Sequence, residues 1–528
     1  GAGGSGRPPV APASPPSLSA ASWLALIVLV AANALNYLDR QIVSILAQSI
    51  KAGLKLDDAD LGFILGTAFA VFYSVVGIAM GRISDFVSRK KLMAFGLALW
   101  SGMTALGGAA SSFGLLAFAR IGVGIGEAVA NPCGHSLVAD IFPKRMRALT
   151  LSLLLTGTFI GGASAMFLGG WFVENWRDVC GNFGFGPLSS EKVCALKGWQ
   201  AALFAVGLPG IPLALLLLFI HEPARPLPEG QSTARIAVTE ISAALPPLTF
   251  AALRQAGGSA AMWRNLGLAL GIALAATLIA RWTGDVAQWT ACGIGAYAII
   301  TWGRVQSYRD APLFAVTFGN RTFLMAVSAT ALIACVNGAA HVWAAPYAMR
   351  HFDLQPAELG LKLGVLSIIG GLIGVIAGGW LTDRLRTRDM RAPMMMGAIS
   401  LAGGGPAVVL MLLTDDANVF FAAALVQGAF AACWSGSTAA LVQDLVLPRM
   451  RGAAAASYSL VAIVVSSGIG PYWAGKVSAL TGSLNAGLFS ILLLAVPALI
   501  LLWLTARRLP HETPEARRAL ALAAGEPQ

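Results

Sequence analysis

GRISDFVSRKK at residues 81–91 and GWLTDRLRTR at residues 379–388 are two versions of one loop, and their repetition decides the fold. Each follows an apolar run and gives Gly-x-x-x-Asp followed by a basic cluster, with Gly81 matching Gly379 and Asp85 matching Asp383. A second echo comes in the same order. DIFPKRMRA at 140–148 returns as DLVLPRMRG at 444–452, with Asp140 matching Asp444 and Arg147 matching Arg451. The offsets are 298 and 304 residues, so one unit occurs twice in the chain, as internal repeats do in proteins built from two related halves around a central site.

The medium in which those halves fold follows from composition. Of 528 residues 57% are hydrophobic and only 12% charged, about half the charged share of a soluble domain. A water-soluble enzyme, a nucleic-acid binder and a disordered regulator are excluded, because too few polar groups remain to clothe a globule of this size. A bilayer core of roughly 30 Å needs about 20 apolar residues per helix. Fourteen runs fit: 22–48, 60–82, 92–110, 114–136, 149–172, 199–220, 265–281, 286–303, 322–346, 360–382, 393–414, 418–443, 454–475 and 485–505. The repeat accounts for six spans in each half and leaves 265–281 and 286–303 as an insert. Their joining turn, RWTGD at 281–285, is short enough only for a helical hairpin.

The division expected is a disordered tail at 1–21, an N-terminal six-helix half at 22–220 and a cytoplasmic linker at 221–321 that carries the hairpin (265–303). A C-terminal six-helix half at 322–505 and a cytoplasmic tail at 506–528 complete it. With both termini inside, Lys and Arg number 25 in the inner segments against 8 in the outer ones, which obeys the positive-inside rule. That bias also explains the net charge of +11 without nucleic acid. An integral, multi-pass protein of a bacterial inner membrane is expected, as a monomer. Of six Cys, Cys180 and Cys194 share one polar loop and could pair if that loop is periplasmic or extracellular; the sequence leaves their pairing open.

Two halves, a Gly-x-x-x-Asp basic loop and its echo resemble the major facilitator superfamily over roughly 20–505, apart from the insert. Within it, NYLDR at 36–40, RIGVGIGEAVANP at 120–132 and DIFPKRMRA at 140–148 resemble the spinster family. That resemblance implies export of lysophospholipids and sphingosine phosphates, coupled to or regulated by protons. TGTFIGGASA at 156–165 lacks the Gly-Pro pair usual in drug antiporters.

Charges inside a bilayer are expensive and mark function by default. Asp39 and Arg40 lie high in the first span, and Arg120 and Glu127 share one face of the fourth, about 10 Å apart along its axis. Opposed helix directions set Asp39 beside Arg120 and let Arg40 reach Glu127. Burial favours a neutral carboxyl and a neighbouring guanidinium favours the carboxylate, so exchange of partners exchanges protons. The bland alternative is a static ion pair that locks two helices. Asp85, Arg89, Arg147, Asp383, Arg384 and Arg451 are read as a gating latch at the inner surface. The second half carries almost no charge away from its helix ends, so a substrate charged at one end and apolar at the other fits the pair of halves. Asn36, Tyr37, Phe69, Tyr73, Phe159, Asn337, His341, Gln427 and Trp434 are the candidate cavity lining.

No Gly-x-x-x-x-Gly-Lys-Ser/Thr loop occurs, so the energy source expected is a proton gradient rather than ATP, and no cofactor is called for. No Cys/His spacing suits a metal. No catalytic residue is assigned, and the chain is expected not to be an enzyme; His135, near the inner end of the fourth span, is the only candidate base there, and nothing supports that role beyond its presence. The expected function is proton-dependent secondary transport of lysolipid-like amphipathic lipids by alternating access. Proton-coupled transport of small organic anions or drugs, and passive lipid scrambling, are the alternatives.

Overall fold

The computed structural model describes residues 20–84, 86–143, 146–182, 191–223, 233–245, 247–352 and 354–526. Side chains at 82, 147–148, 181–182, 191–192 and 233–236 fall outside that description, as do nearly all of the expected tail at 1–21 and the expected latch residue Asp85. Regular structure among the described residues is helical throughout. The N-terminal half comprises α1 (Ala20–Leu54), α2 (Asp58–Gly81), α3 (Arg89–Gly108), α4 (Phe113–Ile141), α5 (Arg147–Asn182) and α6 (Gly198–Phe219). Helices α7 (Thr249–Thr283) and α8 (Val286–Arg309) form the insert. The C-terminal half comprises α9 (Arg321–His351), α10 (Pro356–Arg386), α11 (Ala392–Leu413), α12 (Ala417–Asp444), α13 (Pro448–Thr481) and α14 (Leu484–His511).

Twelve of these helices are long and apolar enough to cross a membrane. The expected spans 92–110 and 286–303 are helices of 20 and 24 residues, but α3 begins with Arg89, Lys90 and Lys91 and α8 carries Gln288, Arg304 and Gln306, and neither is among the twelve. Boundaries moved as well. Helix α5 runs ten residues past the expected 172, and α7 starts before 265.

Local chemistry sets the ends. The chain leaves α1 through Lys55 at φ 56°, and the Asp57 carboxylate caps α2 by accepting from the Asp60 amide at 2.7 Å. Ser44 Oγ donates to the Val342 carbonyl at 2.5 Å and Arg350 to Gln48 at 3.1 Å, so α1 and α9 run in the same direction. Asn320, before α9, donates to Glu512, after α14, at 3.2 Å. Both ends of the helical bundle chain therefore lie at one end of the molecule, here the terminal end; the opposite end is the distal end.

One apolar core, including Ile42, Leu46, Ile64, Trp343 and Phe420, runs through both halves. A second, including Leu29, Leu97, Trp100, Leu137 and Phe142, has all its buried members in the N-terminal half, with Ile463 of α13 packed against it. At the distal end the halves are fastened by polar contacts too: Arg350 and Ser478 bind Asp58, and the Ala357 amide donates to Glu174 at 3.2 Å. Near the terminal end the halves share no ion pair among the described residues; Arg89–Asp140, Arg89–Glu222 and Arg386–Asp444 each stay within one half.

The hairpin turns at Gly284, whose φ of 85° suits glycine. Helix α8 lies over the seam between α2 and α13. Thr67 donates to Gln288 at 2.6 Å, Gln288 donates to the Gly468 carbonyl at 3.0 Å, and Asp285 receives Tyr472 and Lys476, both at 2.7 Å. Cys180, near the end of α5, forms a disulfide with Cys194.

Candidate functional site

Asn36 and Arg40, one turn apart on α1, face the interior of the N-terminal half. Arg40 Nε donates to Glu127 Oε2 at 2.6 Å. The guanidinium also lies 4.4 Å from the ring centre of Tyr73, 4.9 Å from Phe69 and 5.2 Å from Tyr37. Phe69 and Tyr73, i and i+4 on α2, stack at 5.2 Å, and the Tyr73 hydroxyl accepts from Asn131 at 3.0 Å. The π faces add their attraction for a cation to that of the one carboxylate. The close helix approach comes from α4: a Cβ on Gly124 would sit 2.6 Å from the Phe69 carbonyl oxygen, so only glycine lets α2 and α4 touch here.

Arg120 is buried and donates from Nη1 to the Asp39 backbone carbonyl at 3.2 Å. The expected pairing of Arg120 with the Asp39 carboxylate is therefore corrected. Successive helical residues point about 100° apart, so when Arg40 turns to Glu127 the Asp39 side chain points elsewhere. Buried polar atoms without a partner concentrate in this cluster: Asp39 Oδ1, Arg40 Nη2, Arg120 Nε, Glu127 Oε1 and both amide atoms of Asn36. Each such atom costs about 1–3 kcal/mol, and a group of them is a set of open hydrogen-bonding positions. The Arg40 side chain is 19% exposed and that of Glu127 0%, so Arg40 is the contact with the surroundings, while Asp39 and Arg120 are buried.

The expected cavity lining divides in two. Asn337, His341, Gln427 and Trp434 line one cavity of about 350 Å³ between α9, α10 and α12, closed on the other side by Met166 of α5. Phe159 borders it, lying 3.4 Å from where a Cβ on Gly371 would stand. Asn337 donates to Ser400 at 3.2 Å, while Gln427 Nε2 and Trp434 Nε1 have no partner. Asn36, Tyr37, Phe69 and Tyr73 are not in that lining; the three aromatic rings surround Arg40, whose cation is attracted to their π faces.

The latch differs from expectation in detail. Arg89, 2% exposed, binds Asp140 at 2.5 Å and Glu222 at 3.0 Å. In the second half Arg386 takes Asp444, while Arg384 lies over Trp380 at 5.4 Å and Arg451 is exposed. The basic residue of the first motif thus meets the Asp of the second motif in each half. Arg386, not Arg384, makes that contact; matching Gly81 to Gly379 sets Arg89 opposite Thr387, one residue from Arg386. The side chain of Arg147 lies outside the described residues, and Asp383 makes no ion pair among them. Burial pushes Glu222 up, but hydrogen bonds from Ser88 and Arg89 outweigh it and hold this carboxyl below its ordinary range. At the distal end Asp58 collects Arg350 (2.7 Å to each oxygen), Lys51 (2.6 Å) and Ser478 (2.6 Å). Neither Asp58 nor Glu222 was legible as a site residue; a carboxylate at a span edge facing a basic helix end was the available signal.

Two pseudo-symmetric helical halves, a buried charge cluster in one and an apolar cavity in the other define an integral, multi-pass membrane transporter, not an enzyme. The family model described as Major Facilitator Superfamily matches residues 29–335 and 323–526, and the chain belongs to that superfamily. It is 26% identical over 504 residues to an MFS-type efflux pump of Mycolicibacterium smegmatis, covering 94% of this chain and 95% of that one. It is 26% identical to human protein spinster homolog 1, covering 87% and 73%, and 23% identical to Drosophila melanogaster protein spinster, covering 90% and 65%. Among solved structures it is similar to a bacterial homolog of the human lysosomal transporter spinster in an inward-facing, unoccupied conformation, with a TM-score of 0.71 and 21% identity over 94% of this chain and 99% of that one.

Proposed function

We propose that this chain is a proton-dependent secondary transporter of amphipathic lipids with one anionic end, of the lysophospholipid or sphingosine-phosphate kind, working by alternating access. The observation that carries the reading is the division of chemistry between halves. Arg40 and Arg120, with unused N–H groups, suit an anionic headgroup, and the cavity of about 350 Å³ beside Gln427 and Trp434 suits an apolar chain. Similarity to proteins named spinster supports it. Asp39 and Glu127 carry the exchangeable protons: when the headgroup or a second carboxyl takes Arg40, Glu127 loses its cation and binds a proton. Asp58 with Arg350 and Ser478 forms the distal gate, and the two motif pairs brace each half at the terminal end. The chain acts as a monomer in a bacterial inner membrane, both termini cytoplasmic, with fourteen spans and no cofactor beyond the proton gradient.

In proteoliposomes with an imposed pH gradient, Asp39→Asn and Glu127→Gln should each abolish the pH dependence of lysolipid transport while thermal unfolding stays cooperative. Unchanged pH dependence in both variants overturns the proton role. A second reading, efflux of small organic anions or drugs, is favoured by the likeness to the M. smegmatis efflux pump; gradient-driven transport of such compounds with no lysolipid transport would establish it. Lysolipid movement that needs no gradient and never concentrates substrate would instead mean a scramblase.

A further inference from the structure

Helices α7 and α8 do not close on each other along their full length. Between them lies a groove of about 510 Å³, walled by Ala269, Ala273 and Ile294, floored by Phe250 and Tyr297, and ending distally at Arg281. The floor is sealed: the Tyr297 hydroxyl is bound to Thr249 at 2.8 Å and Asn265 at 2.6 Å, so its polar group is already used. Below Arg281 the groove offers almost only apolar surface. Arg281 itself is exposed and has no ion pair among the described residues, and its neighbour Trp282 is 87% exposed.

Length and charge then select the occupant. From Ala269 to Arg281 is twelve residues, about 18 Å of helix at 1.5 Å per residue. Half of a bilayer core of roughly 30 Å is about 15 Å. The groove is one leaflet deep, and Arg281 and Trp282 stand where headgroups begin, as interfacial Arg and Trp do. We propose that the inserted hairpin is a binding site for one anionic phospholipid of the distal leaflet, its acyl chain in the α7–α8 groove and its phosphate on Arg281. The site is separate from the central cavity and from the Arg40 cluster. Since α8 is tied to both α2 and α13 through Gln288, a lipid in this groove stiffens the element that straddles the seam between the halves.

The test uses the full chain in detergent, stripped of lipid and titrated with dioleoyl phosphatidylglycerol or dioleoyl phosphatidylcholine, read by native mass spectrometry and thermal shift. One phosphatidylglycerol per chain should bind in preference to phosphatidylcholine. Arg281→Ala should weaken it about fivefold, the effect of about 1 kcal/mol for one basic residue at an anionic surface, and Arg281→Lys should retain it. Ala273→Phe, which fills the groove, should remove the stoichiometric lipid whatever its headgroup. Equal binding of the two lipids by the unaltered chain overturns the proposal, as does undiminished phosphatidylglycerol binding in Arg281→Ala. Should Ala273→Phe not fold, the Ala and Lys variants at 281 decide alone.

Discussion

Replacing Asp58 by Asn should shift the protein away from the conformation closed at its distal end. Asp58, at the start of α2, receives both Nη atoms of Arg350 at 2.7 Å and Ser478 at 2.6 Å, and these donors belong to the other half. The Asp58 side chain is 5% exposed and that of Arg350 27%, so the released guanidinium can regain part of its hydration. A hydrogen bond to a charged group is worth about 1.5–3 kcal/mol net; with that rehydration, loss of the pair leaves about 2 kcal/mol. That is about thirtyfold in the ratio of distally closed to distally open molecules. Spin labels at Ala52 on α1 and Leu480 on α13, both exposed and on opposite halves, would report it by double electron–electron resonance. The variant should gain a longer-distance population, Arg350→Gln should produce the same gain, and the double variant should add little to either. A distance distribution in Asp58→Asn identical to the unaltered one would refute the clamp.

Glu222→Gln should destabilise the N-terminal half by about 3 kcal/mol, since it strips one of two carboxylates from a buried Arg89. Because the folded state holds this carboxyl below its ordinary value of 4.5, its contribution is complete above that pH and fades as pH falls through the lower folded value. The gap in thermal unfolding temperature between the two proteins should accordingly be constant at neutral pH and narrow only below about pH 4.5; a gap that narrows near neutrality would contradict the assignment. The Cys180–Cys194 bridge joins residues 14 apart in sequence, and a loop of about 15 residues corresponds to about 3 kcal/mol. The Cys180→Ser, Cys194→Ser double variant should therefore unfold at a lower temperature, and a reductant should lower only the unaltered protein to that level.

Much of the pairing followed from periodicity. Arg40 with Glu127 could be read because helical rise and opposed directions fix relative heights. The same reasoning misplaced the Asp39 carboxylate, since height along a helix says nothing of which way adjacent side chains turn. Phe69 and Tyr73, four apart, read as cavity walls in the sequence, and only the position of Arg40 against both rings makes them a platform for a cation. Asp58 and Glu222 meet partners 292 and 133 residues away, with no local pattern to announce the meeting.

The amino-acid order alone determined that this chain lives in a bilayer, that it is built from one unit used twice, and that a hairpin was added between the copies, because span length, charge bias and repetition are one-dimensional properties. Tertiary structure decided which basic side chain meets which carboxylate, that the lining residues divide between two sites, and that an apolar groove opens beside Arg281. Those outcomes depend on the rotation of each helix about its axis and on the gaps left between neighbours, and both are set by how all the helices pack at once.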